Sequence, residues 1–235
     1  MPTQSGNDLL IIECDSANLG ADRLNLGSLF YRMLNHEIAK LFLAKKTVVL
    51  LKTSSKSRLD EEFAEVLQRY GRFRAVLIVG HSNSTGIRVA SDDRFEWGAL
   101  GKWLAPFRPE MIFLAACEAG QSVAVRNLFE PLKETLRDVF ACPVKLYPTQ
   151  AAAFAVLIAG LLWTGEINEN ESIAAQFVNY IGTGGQIYHW RYGETGPGAG
   201  IPAKLWDAFG KAFDFGQWDS QQRIDDLIAR ARRSL

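Results

Sequence analysis

Short unbroken apolar runs alternate along this chain with longer segments whose apolar positions recur every three or four residues, the pattern of strands and helices in turn. Residues 9–14 form the first apolar run, closed by Asp15 and Ser16. Over 24–45, Leu26, Leu29, Phe30, Met33, Leu34, Ile38, Leu41 and Phe42 share one face and predict a long amphipathic helix. Residues 47–51 read as a second strand, and 57–70, with Leu59, Phe63, Val66 and Leu67 among acidic residues, as a helix ended by Gly71. Residues 75–79 are apolar throughout, as suits a parallel strand covered on both faces. Residues 85–89 and 94–95, flanking Ser91, Asp92 and Asp93, predict a small hairpin. A short helix over 97–104 leads to a fourth apolar strand at 111–116 and a helix from 120 to about 140, irregular at Pro131. Strands at 143–147 and 186–192 complete the set, with helices at 151–163 and 171–181 between them and two more beyond about residue 203.

This order predicts an α/β protein: a three-layer α/β/α sandwich around a mainly parallel six-stranded sheet. No internal repeat or long linker divides the chain, so residues 1–235 read as a single domain, which the helices beyond about residue 203 either complete or extend as an appendage. A hydrophobic content of 48% in 235 residues supports a sizeable core. Lys plus Arg balances Asp plus Glu at 26 each, so no field is built for nucleic acid or an anionic membrane. The arginines at 230, 232 and 233 suit the end of a terminal helix. Three cysteines without metal-ligand or disulfide-scaffold spacing fit a reducing cytoplasm. The first residues lack a signal-peptide pattern, and the longest apolar run, 151–163, is too short to span a bilayer.

The chemistry gathers at two strand ends. One run breaks at Gly80-His81-Ser82, the other at Ala116-Cys117-Glu118. In an open parallel sheet the functional crevice lies outside the carboxyl ends of the strands. If these two strands are neighbours, their ends lie about 5 Å apart, and an imidazole and a thiol meet over one substrate bond. His81 then draws off the thiol proton and later protonates a leaving amine, while backbone N–H groups at Ser82 and Cys117 face the oxyanion. Taken singly, a cysteine after an apolar strand is more often a small buried hydrophobe, and a strand-end histidine a hydrogen-bonded structural group. The pairing across a single crossover is what favours chemistry.

The succession of apolar strand, Gly80-His81, Gly86-Ile87, an Asp-Asp hairpin and a strand ending Ala-Ala-Cys-x-x-Gly resembles the caspase-like cysteine peptidases, most closely the bacterial CHAT-type proteases. The motif match covers about residues 75–120, and the succession of expected elements is compatible with that topology from residue 9 to about 192. The resemblance implies a caspase-like sheet, His81 as general base and acid, Cys117 as nucleophile, and Gly86 as the glycine of the histidine segment. It implies a protein or peptide substrate, no cofactor, and a resting state released by a regulatory partner, ligand or processing step, with a role in bacterial defence or cell suicide. Ser82 stands where these families usually carry glycine, and Ala115 and Ala119 depart from the caspase signature. Related peptidases selective for Arg or Lys carry an acid after the first strand, so Asp15 pairs with a basic substrate side chain or is a loop cap; Glu118, beside Cys117, is a second substrate-binding candidate, and Asp92 and Asp93 are further carboxylates at the rim.

Two other readings fit parts of the pattern. Gly80-His81-Ser82-Asn83-Ser84 resembles the nucleophile elbow of α/β-hydrolases, with Ser82 as nucleophile and His189 as base. Against it, Ser84 replaces the closing glycine, and a hairpin follows where an elbow opens a helix. The third reading is a catalytically inactive α/β interaction module; the glycine-rich stretches at 182–185 and 193–200 lack nucleotide-loop spacing.

Overall fold

The computed structural model describes residues 7–14, 26–38, 46–53, 55–89, 93–120, 122–141, 158, 162 and 188–191. The expected strand at 143–147, the helices at 171–181 and beyond 203, the glycine-rich stretches, and Asp15 and Asp92 lie outside these residues.

Strand β1 (Asn7–Cys14) leads to helix α1 (Leu26–Arg32), which continues as a π-helical turn over Met33–Ile38, then to β2 (Val48–Thr53). Helix α2 (Lys56–Tyr70) begins where the Ser55 side chain accepts from the Arg58 N–H at 3.3 Å. It stops at Gly71, whose positive φ of 68° turns the chain and whose N–H donates to the Leu67 carbonyl at 2.8 Å. β3 (Phe73–Gly80) follows, then three short strands, β4 (Ser82–Asn83), β5 (Gly86–Arg88) and β6 (Arg94–Glu96), which make a small antiparallel sheet of their own. Helix α3 (Trp97–Leu104), β7 (Met111–Ala116), helix α4 (Ser122–Leu132), β8 (Asp138–Ala141) and β9 (Tyr188–Arg191) complete the described elements.

The central sheet is mainly parallel: β1, β2, β3, β7 and β8 run the same way, and β9 pairs antiparallel to β8. β1 sits between β2 and β3, so the chain steps to one side of its first strand and then crosses to the other. Leu9 pairs with Val48 on one side and Ala75 on the other.

β7 is buried from end to end, with Met111 to Ala116 each at most 1% exposed, and Leu9 to Cys14 of β1 and Ala75 to Val79 of β3 are buried too. Alternate residues therefore serve different faces. Leu10, Ile12 and Cys14 of β1, Val76 and Ile78 of β3, and Ile112, Leu114 and Ala116 of β7 join one cluster with residues of α2, α3 and α4. Within it Phe63 packs on Trp103 and Phe107, with ring centroids 3.6 and 4.2 Å away. Burying a ring of this size contributes about 2–3 kcal/mol. Glu13, out of phase with that cluster, accepts from the Ser28 hydroxyl of α1 at 3.1 Å.

One expected element is corrected. The helix expected from 120 to about 140 ends at Leu132, where the N–H groups of Thr135 and Leu136 both donate to the Leu132 carbonyl, and residues 138–141 form β8. The hairpin expected over 85–95 is present, with Gly86 paired to Glu96 and Ile87 to Phe95, and it gains a third strand because Ser82 and Asn83 pair with Ile87 and Gly86. Of the apolar helix expected at 151–163, Ile158 and Leu162 are described; both are helical and buried.

Candidate functional site

The register of β3 on β7 runs from Ala75–Met111 to Gly80–Ala116. His81 and Cys117 are thus the first residues beyond one pair of adjacent strand ends, about 4.8 Å apart in the pairing direction. β1 ends alongside: Glu13 pairs with Val79, which brings Cys14 level with Gly80. Gly80 permits this crowding. A Cβ there would lie 3.0 Å from the Cys14 Cβ and 3.2 Å from Ile87 Cδ1, so a larger residue would push the strand end and the hairpin apart. Both His81 and Cys117 are part-exposed, which leaves them accessible at the edge of an otherwise buried sheet.

Each residue of the segment 81–83 is tied down. The His81 carbonyl accepts from the Arg88 N–H at 2.7 Å. The Ser82 hydroxyl donates to the Cys117 carbonyl, a direct link between the two strand ends. The Asn83 carbonyl accepts from Trp97 Nε1 at 3.1 Å. The Asn83 side chain closes the following turn, accepting from the Thr85 N–H at 3.0 Å, the Thr85 hydroxyl at 2.8 Å and the Gly86 N–H at 3.2 Å.

Across from it, the turn over residues 117–120 exposes Glu118, which has a positive φ of 57°, and buries Ala119 and Gly120 before α4 begins at Ser122. Glu118 and, in the hairpin, Asp93 are both exposed. Asp15 lies outside the described residues. The backbones of Ser82 and His189 are not brought together: β9 stands three strands from β3, and His189 pairs with Phe140, which is level with Phe113, three residues short of Ala116.

A second polar site escaped the sequence reading. Glu13 is 3% exposed, bonded by Ser28 and 3.9 Å from Lys52 Nζ, and burial pushes its carboxyl above the usual carboxylate range despite these contacts. Its only signal was an acid inside an apolar strand. Among the described residues no group of three or more His, Cys, Asp or Glu is placed to hold a metal ion, and no helix is long and apolar enough to cross a membrane.

No protein-family model matches the chain, and a search of curated proteins finds no match.

Proposed function

We propose that this chain is a caspase-like cysteine endopeptidase in which Cys117 is the nucleophile and His81 the proton carrier. The observation that carries the reading is the β3–β7 register, which ends at Gly80–Ala116 and leaves the imidazole-bearing and thiol-bearing residues on adjacent strand ends. The Cys117 thiol gives its proton to His81, and the sulfur attacks the scissile carbonyl carbon. Backbone N–H groups of Ser82 and Cys117 receive the oxyanion, each such donor contributing about 3 kcal/mol. Collapse breaks the C–N bond as His81 protonates the leaving amine; water, deprotonated by His81, then hydrolyses the thioester. The reading includes a three-layer, six-stranded caspase-like architecture, a protein or peptide substrate, selection of basic side chains by Asp15, and release from a resting state by a partner or ligand in a defence setting.

The serine-esterase reading draws less support, since Ser82 spends its hydroxyl on the Cys117 carbonyl and a hairpin follows it. The test is cleavage of a peptide library by wild type, Cys117→Ala and His81→Ala. Both variants are expected to lose activity by about a hundredfold or more. Cleavage by Cys117→Ala at the wild-type rate refutes the mechanism.

A further inference from the structure

The β3–β7 ladder stops at Gly80–Ala116, so the Cys117 peptide lies just past the last paired residues. It then enters a turn through Glu118, whose left-handed φ of 57° costs a non-glycine residue about 1–2 kcal/mol. Such a turn keeps its shape only where its surroundings hold it. Burial of Ala119 anchors the far side. On the near side stands the Ser82 hydroxyl, which donates to the Cys117 carbonyl across 35 positions of sequence. Ser82 belongs to the segment already held at the His81 carbonyl by Arg88 and at the Asn83 carbonyl by Trp97.

We propose that Ser82 is a positioning residue whose hydroxyl clamps the Cys117 turn to the His81 strand end and so sets the approach of thiol to imidazole. The inference rests on the reading of His81 and Cys117 as a working pair. The clamp acts on the backbone carbonyl of Cys117 and not on its thiol. A hydroxyl is the smallest side chain able to do this; alanine or glycine at position 82 leaves the carbonyl without that donor, whereas threonine retains it.

The experiment follows alkylation of Cys117 by iodoacetamide at neutral pH, read by mass spectrometry of the Cys117 peptide, with the Cys14 and Cys142 peptides as internal references. Ser82→Ala is expected to slow Cys117 about tenfold, in keeping with the rate sensitivity of reacting groups to small misplacements. Ser82→Thr is expected to restore the rate to within about twofold. In a His81→Ala background Ser82→Ala should add nothing further, because the hydroxyl acts through the juxtaposition of the two residues. Alkylation of Ser82→Ala at the wild-type rate, failure of Ser82→Thr to recover, or equal slowing with and without His81 overturns the proposal. His81→Ala alone separates the two levels. If it slows Cys117 and Ser82→Ala does not, the clamp fails and the pair stands; if it leaves Cys117 unchanged, the pair itself falls and the clamp with it.

Discussion

Gly86→Ala tests how the hairpin holds the histidine end of the site. An added Cβ at residue 86 would lie 2.1 Å from the Phe95 carbonyl oxygen, 2.8 Å from its carbon and 3.0 Å from the Glu96 Cα. All three are backbone atoms, so no side-chain rotation relieves the clash. Ordinary carbon–oxygen contacts begin near about 3.3 Å, and β5 and β6 must therefore separate by about 1 Å. A ladder widened that far takes its N–H···O distances to about 4 Å, beyond hydrogen-bond range. Two lost bonds at about 1 kcal/mol each, with about 1–2 kcal/mol of overpacking, amount to a destabilisation of about 3–4 kcal/mol. At a urea slope of about 2–3 kcal/mol per molar, the unfolding midpoint should fall by about 1.5 M. Arg88, which holds the His81 carbonyl, is on the same strand, so the proposed peptidase activity should fall as well. Gly98→Ala is the matched control: its Cβ would meet nothing closer than the Asn127 carbonyl oxygen at 3.8 Å. On helix α3 alanine is the better former, by up to about 1 kcal/mol, so that midpoint should hold or rise. A Gly86→Ala midpoint within about 0.3 M of wild type refutes the packing argument. So does an equal fall in both variants.

Two further outcomes are expected elsewhere in the fold. Burial holds the Glu13 carboxyl above the usual carboxylate range, so the folded protein binds that proton more tightly than the unfolded chain does. Its contribution to stability is therefore full at low pH and is lost as pH rises through the raised folded value. Glu13→Gln keeps an oxygen for Ser28 without a charge to desolvate; urea midpoints across about pH 4 to pH 8 should show wild type losing stability relative to the variant as pH rises. The opposite slope, or parallel curves, would contradict the burial argument. Phe63→Ala removes the ring between Trp103 and Phe107 and should cost about 3–5 kcal/mol, a fall in Tm of about 10 °C by calorimetry, with Phe63→Leu retaining more than half of that stability.

The sequence made the strand ends legible and left their connection hidden, and the physical reason differs from element to element. β3 and β7 are buried on both faces, so their apolar runs are continuous, and each break into His81 or Cys117 marks a strand end within a residue. α2 carries both its signals, Ser55 before it and Gly71 after it. β8 reads as helix in the sequence because Leu128, Leu132, Leu136 and Phe140 keep a four-residue spacing although the chain leaves the helix at Leu132; a short apolar run satisfies either period. The bond from Ser82 to Cys117 and the left-handed turn at Glu118 have no local signature, since both depend on two strands meeting through the register of the sheet. That distinction bears on Ser82. In sequence it is a departure from the glycine usual after the histidine in the families this segment resembles, and it counts against the oxyanion geometry. In the fold, its backbone keeps the N–H that glycine would offer, and its hydroxyl supplies a tie between the strand ends that glycine cannot.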